Sequence, residues 1–217
     1  MTPLTEHREK KFRNAIQHKQ PNITVIFDNV VDPHNIYACM RTADSIGLIE
    51  MYSINTGKRF QRKLKEGKRS GASAKKWIQL HEFDSYEACF EVVKRKYQKV
   101  LGTFLGENSA DLYSLDLTES VALVFGNEQF GISEEAKKFC DGNFVIPQKG
   151  MIESLNISVA CAVTLYEAYR QRASAGMYGE KSLMTAAEKE QMYEAWIAKK
   201  EEIREEKKNR YHPTQSQ

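Results

Sequence analysis

The chain has 217 residues, 41% hydrophobic and 28% charged, with 12 glycines and 5 prolines. That is enough for one domain with an appendage or two small domains, and it excludes collagen, disorder throughout and a bare disulfide scaffold. The formal net charge of +3 says little until it is divided along the sequence.

Residues 1–20 hold five Lys or Arg against two Glu. They lack the apolar centre of a secretory signal, and no later run approaches the ~20 apolar residues of a membrane span. Ile23–Phe27 is a short β-branched run that reads as a buried strand. Asn35 to Ile46 has helical spacing, with Ile36, Cys39, Met40, Ala43 and Ile46 on one side and Gly47 as the stop. Ile49–Ile54 is strand-like. Thr56–Lys76 reads as a long solvated loop, and residues 58–76 carry nine Lys or Arg against Glu66 alone, a net +8. Trp77–Leu80 is expected to form a strand, Ser85–Tyr97 a helix capped by Asp84 or Ser85, and Val100–Leu105 a strand followed by loop over Gly106–Asp111. Val121–Phe125 is another apolar run, Ser133–Phe139 a short helix, Phe144–Ile146 a last strand and Leu155–Arg172 a long helix. Continuous apolar strands alternating with helices predict an α/β fold, a parallel sheet covered on both faces.

The tail differs in kind. Thr185 and Glu188 match a capping box, and Glu/Lys-rich helix runs on to about Arg210. Met192 and Trp196 lie one turn apart, so one stripe is expected to pack while the rest stays wet. From Lys181 onward the net charge is +1, which leaves −9 for the remainder of the chain. A nearly neutral protein thus hides one concentrated basic segment, which points to a polyanionic partner. Cys39, Cys89, Cys140 and Cys161 are far apart and form no CxxC pair. With no sign of export they read as reduced thiols of a cytoplasmic protein, with no metal site.

No phosphate-loop or dinucleotide fingerprint follows any strand. Three other segments put polar residues at the carboxyl ends of predicted strands, where open α/β sheets bind ligands. In Asn29–Ala43, Asn35 is a candidate helix cap and Arg41 either a solvent-facing residue or a functional one. In Leu123–Gly131, Gly126 and Gly131 bracket Glu128. This is either an ordinary turn or a place where backbone approaches a ligand. In Val145–Ser158, Ser154 is a natural N-cap, while Asn156 and Ser158 need further explanation because both disfavour helix interiors.

Taken in order, the three segments resemble the three motifs of the SpoU/TrmH branch of the SPOUT RNA methyltransferases. The first is matched at Asn29, Asp32, Pro33, Asn35, Ala38, Arg41, Thr42 and Ala43. The second is matched at Gly126, Glu128 and Gly131, and the third at Ile146, Pro147, Gly150, Ser154, Leu155, Asn156 and Ser158. The likeness covers about residues 25–172. Within the branch it runs to the members that methylate guanosine 18 in the D-loop of tRNA, through the charged N-terminal helix, the segment Ser70–Trp77 and the helical C-terminal extension. Two positions depart from the pattern: Tyr37 replaces a glycine or serine, and Gln148 a methionine.

The resemblance implies a SPOUT domain over residues 21–175 with a C-terminal deep trefoil knot, flanked by helical extensions at 1–20 and 176–217. It implies a homodimer that transfers a methyl group from S-adenosylmethionine to a ribose 2′-hydroxyl of tRNA. Thr103, Leu105, Gly106, Gly126, Ile146 and Leu155 would hold the cofactor, and Arg41, Asn35, Glu128 and Asn156 would carry the chemistry. Arg41 is the family's central residue, often described as a general base. Because a guanidinium keeps its proton at neutral pH, a clamp on the adjacent phosphate and the developing alkoxide is the better physical role. Lys58, Arg59, Arg62, Lys63, Lys65, Lys68, Arg69 and Lys75, with Arg8, Lys11 and Arg13, would grip RNA phosphates. The alternatives are a ribosomal RNA 2′-O-methyltransferase of the same branch and a catalytically idle RNA-binding protein on the same scaffold. The first would ignore bulk tRNA; the second would bind RNA without the cofactor.

Overall fold

A computed structural model describes residues 5–57, 76–106, 108–179 and 181–211. Lys58, Arg59, Arg62, Lys63, Lys65, Lys68, Arg69 and Lys75 lie outside the described residues. The elements run α1 (Glu6–Gln17), β1 (Ile23–Asp28), α2 (Pro33–Ser45), β2 (Glu50–Ile54), β3 (Gln79–Phe83), α3 (Tyr86–Lys96), β4 (Lys99–Thr103), β5 (Ala110–Asp111), a 3-10 turn (Leu112–Ser114), β6 (Val121–Phe125), α4 (Glu134–Lys137), β7 (Gly142–Val145), α5 (Ile157–Ser174) and α6 (Ala186–Tyr211).

The seven strands form one sheet in the order β3-β2-β1-β6-β4-β7-β5. Every pair is parallel. Side chains alternate across a strand, and here both faces are covered, so β6 is apolar at every step and β1 is apolar but for Thr24 and Asp28. Val25, Phe27, Leu123 and Phe125 pack under Ile36, Cys39 and Met40 of α2 and Cys161, Leu165 and Ala168 of α5. Their neighbours Ile26, Ala122 and Val124 face Cys89, Phe90 and Val93 of α3 and Ala136 of α4. This is the fold class that the run of β-branched segments predicts.

Several local expectations shift. The strand expected at Trp77–Leu80 lies at Gln79–Phe83. Trp77 instead joins a separate cluster with Phe12, Ile16, Met192, Tyr193, Trp196 and Ile197, where α1 meets α6. The stretch Gly106–Asp111, expected as loop, contributes the two-residue strand β5 at the sheet edge. α2 begins two residues early, because Asp32 takes the cap by accepting from the His34 N–H at 2.8 Å and Pro33 fits the first turn. Asn35 is therefore not the cap. α5 begins two residues late, capped by Asn156 rather than Ser154.

Other expectations hold. Ser85 caps α3, and the Thr185 hydroxyl accepts from Glu188 N–H while the Glu188 carboxylate accepts from Thr185 N–H. The four cysteines are free. Burial pushes the Cys89 thiol up to about 12 and the Cys140 thiol to about 11, which leaves both poorly nucleophilic. Tyr37, the first departure from the motif pattern, packs into the core between α2 and α5. Gln148, the second, is exposed and donates to the Glu153 carbonyl at 3.4 Å.

Candidate active site

The sheet order gathers the three polar segments. β1, β6, β4 and β7 are successive neighbours, so the chain leaving each carboxyl end emerges beside the next. β1 leads to Asn35, β6 to Gly126 and Glu128, β4 to Leu105 and Gly106, and β7 to Ile146 and the run up to Asn156. The strand order reverses across this region, the position where parallel sheets open a crevice.

Asn35 is the meeting point. With the cap role taken by Asp32, its amide is free to leave the helix, and its Nδ2 donates to Glu128 Oε1 at 2.6 Å. Its Oδ1 accepts from Asn156 Nδ2 at 3.3 Å. One residue from each segment thus joins a single hydrogen-bonded row across sequence separations of 93 and 121. Asn156 does two jobs at once: its Oδ1 caps α5 by accepting from Ser158 N–H and Oγ–H at 2.9 and 2.6 Å, which turns its Nδ2 towards Asn35. Ser158 is explained by the same cap. Each asparagine keeps a second N–H, and Glu128 a second oxygen, for a further polar partner.

Arg41 stands on the exposed side of α2 in line with His34, Ala38 and Ser45. No hydrogen bond or ion pair holds its guanidinium among the described residues. It is on the helix that carries Asn35 but is not joined to the row.

Of the six cofactor candidates, Thr103 donates its hydroxyl to the Val124 carbonyl at 3.0 Å and so ties β4 to β6. Gly106 N–H donates to Ser109 Oγ at 2.7 Å. Ile146 is half-buried against the main core, whereas Leu105 is 85% exposed and Leu155 37%. Met151 and Ile152, which sequence reasoning passed over, are 98% and 71% exposed. Gly126 has an unexpected role. A Cβ there would lie 2.1 Å from the Gly131 carbonyl carbon, so the glycine is required by the chain's own return across Asn127 and Gly131. Gly131 meets nothing but has a φ of 70°, and this left-handed backbone is its reason.

At the base of the site a buried network escaped the sequence reading. The Asp28 carboxylate accepts from the Tyr86 hydroxyl at 2.9 Å, Asn29 Nδ2 at 3.1 Å and Ser133 N–H at 2.7 Å. An acidic residue closing an apolar strand was the available signal.

On α1, Arg8 and Lys11 are exposed. Arg13 is engaged within the molecule: it donates to Glu9 at 3.1 Å and Glu190 at 2.9 Å and lies 4.0 Å above the Tyr193 ring.

A Glu–Asn–Asn row, with Asn35 of α2 bonded between Glu128 and Asn156 beside the carboxyl ends of parallel strands, is a ligand site of the α/β class. The SpoU rRNA Methylase family model matches residues 22–166, and the chain belongs to that family. The tRNA (guanosine(18)-2'-O)-methyltransferase of Thermus thermophilus is 36% identical over 184 residues, 84% of this chain and 92% of the relative. The A. aeolicus TrmH/SpoU tRNA modifying enzyme, known from its crystal structure, aligns with a TM-score of 0.79 and 32% identity over 90% of this chain and 97% of that one. The SpoU methyltransferase AviRb from Streptomyces viridochromogenes, solved in complex with AdoMet, aligns with a TM-score of 0.61 and 26% identity over 72% of this chain and 62% of the other.

Proposed function

We infer that this chain transfers a methyl group from S-adenosylmethionine to a ribose 2′-hydroxyl of tRNA, at guanosine 18 of the D-loop. The observation that carries the reading is the Asn35 amide held between Glu128 and Asn156 in a member of the SpoU family. The tRNA substrate and the position follow the relatives named for that activity.

The residues present suit the cofactor. Leu105, Met151, Ile152 and Leu155 offer apolar surface beside backbone polar groups at neighbouring strand ends, a combination that fits a flat adenine ring and a thioether chain. Thr103, Leu105, Gly106, Gly126, Ile146 and Leu155 would line its place, Gly126 by keeping the turn tight. Bound there, the cofactor supplies an electrophilic methyl group.

The protein's part is to position a poor nucleophile and ease loss of its proton. The spare N–H groups of Asn35 and Asn156 orient the ribose, and Glu128 fixes Asn35. Arg41, a planar cation with no partner among the described residues, clamps the adjacent phosphate and stabilises the developing alkoxide. Arg8, Lys11 and the basic stretch from Lys58 to Lys75 grip phosphates, while Arg13 serves the contact between α1 and α6.

The same reading includes a catalytic body over residues 21–175 with a deep trefoil knot at its C-terminal end, and helical extensions at 1–20 and 176–217. It places the enzyme in the cytoplasm as a homodimer. The exposed stripe of α2 at Ala38 and Ser45, beside exposed Val159, Tyr166 and Tyr169 of α5, supports self-association. Sedimentation equilibrium tests it, a monomer at micromolar concentration being the contrary outcome.

The decisive experiment is transfer of labelled methyl groups from S-adenosylmethionine into unmodified tRNA, with the modified ribose mapped. Label at guanosine 18 supports the reading. Label confined to ribosomal RNA fragments would replace tRNA as substrate, and RNA binding without any transfer would remove the enzyme altogether.

A further inference from the structure

Asn29 follows β1 and is the one non-glycine residue with a positive φ, 51°, among the described residues. Asparagine tolerates this left-handed backbone better than most residues. Every polar group it owns is used. Its N–H donates to the Ile54 carbonyl at 2.9 Å, and its own carbonyl accepts from Asn127 Nδ2 at 2.8 Å. Its Nδ2 donates to the Tyr86 hydroxyl at 2.8 Å and to Asp28 at 3.1 Å, and its Oδ1 accepts from Thr56 N–H at 2.9 Å.

What these bonds connect gives them meaning. Thr56 stands two residues before Lys58, where the basic segment begins. Asn127 precedes Glu128, and its Oδ1 accepts from the N–H groups of Gln129 and Phe130 at 2.8 and 3.2 Å, bracing the turn that presents Glu128 to Asn35. The left-handed backbone is what lets one residue do both. It sends the side chain to Thr56 and the carbonyl to Asn127.

We propose that Asn29 is a positioning residue with two separable arms, a side-chain arm that sets the root of the RNA-gripping segment and a main-chain arm that sets the Glu128 turn. This rests on the methyltransferase reading above. The arms can be cut one at a time. Asn29→Gly keeps the left-handed backbone at no steric cost and so keeps the carbonyl aimed at Asn127, but it deletes the side chain. Asn127→Asp keeps the acceptor that braces the turn but turns the donor facing the Asn29 carbonyl into an oxygen.

Steady-state kinetics on the full chain, with folding checked by circular dichroism, read the split. Asn29→Gly should raise KM for tRNA about tenfold with kcat little changed, the size of effect expected for losing the hold on Thr56. Asn127→Asp should lower kcat about tenfold or more with KM for tRNA little changed. Should Asn29→Gly not fold, Thr56→Val removes the hydroxyl that donates to Asn29 Oδ1 at 3.3 Å, trims the same arm and should raise KM about threefold. Parent-like KM and kcat in both variants, or a shift of the same parameter in both, overturns the inference while leaving the enzyme reading intact. A parent protein that transfers no methyl group overturns that reading and the inference with it.

Discussion

Arg172 is wholly buried, yet among the described residues no carboxylate bonds to it. Its guanidinium donates to the Leu117 and Glu119 carbonyls at 2.8 Å each, to Gln20 at 3.1 Å and to Asn22. Burial pushes its pKa down to about 10. Four acceptors from the approach to β1 and the approach to β6 thus depend on one side chain at the end of α5. Arg172→Met should cost about 3 kcal/mol by stranding them, measured by urea unfolding. Arg41→Lys tests a different property, since lysine keeps the charge but loses the planar fork. The expected outcome is a fall in kcat of about tenfold or more with cofactor affinity unchanged; turnover near that of the parent would remove the need for a bidentate group. These two arginines were unequally legible. Arg41 belongs to a recognisable motif, whereas Arg172 resembles any basic residue in a last helical turn, because its partners lie more than fifty residues away. Asn35 was legible as important but not in its role. The cap preference suited it equally well, and only Asp32's occupation of the cap frees its amide for Glu128.

At the level of elements, β2, β3 and α3 are fastened at their far end by Glu50. Its carboxylate accepts from Tyr52 at 2.7 Å, Lys96 at 2.8 Å, His81 at 2.9 Å and Tyr97 at 3.1 Å. Burial alone would raise its pKa, but the bonds from Lys96, Tyr52 and His81 win and hold it below the ordinary 4.5. A carboxylate depressed in the folded state adds stability above its unfolded value and loses it as pH falls through the folded one. Stability should therefore decline below about pH 4.5, and Glu50→Gln should flatten that part of the curve in a pH series of denaturant melts. The contact between α1 and α6 is the second element-level feature. Phe12 lies 5.2 Å from Trp77 and 5.5 Å from Trp196. Trp196→Ala should free α1 to exchange its amides faster and weaken tRNA binding more than cofactor binding, read by hydrogen exchange and by the two dissociation constants. The apolar stripe on α6 was visible from Met192 and Trp196, but its partner was not. Periodicity identifies a face that packs, and tertiary structure alone decides against what. The same limit misplaced β3, since Trp77 and Ile78 are as apolar as a strand requires while Trp77 packs elsewhere.

For the whole molecule, the sheet class was legible because β1 and β6 carry near-continuous apolar runs, Val25–Phe27 and Val121–Phe125, a pattern that burial on both faces produces. The strand order was not, since sequence adjacency cannot reveal that β4 sits between β6 and β7. That order is what sets the segments leaving four strands side by side. Charge supplies the complementary whole-chain prediction. If the +8 segment meets RNA phosphates, tRNA affinity should fall steeply with salt while cofactor affinity stays level. Replacing Lys58, Arg59, Arg62 and Lys63 by glutamine should then reduce the log–log salt slope by about 3. An unchanged slope would assign the grip to other residues.

The clasp between α1 and α6 also decides what light can report. The chain has two tryptophans, and both are in that clasp, with ring centroids 4.8 Å apart. Intrinsic tryptophan emission is therefore a gauge of the clasp itself, read from Trp196 on α6 and from Trp77 just ahead of β3. A melt followed by fluorescence would record the parting of the terminal helices from Trp77, while the sheet distant from the clasp would have to be followed by circular dichroism.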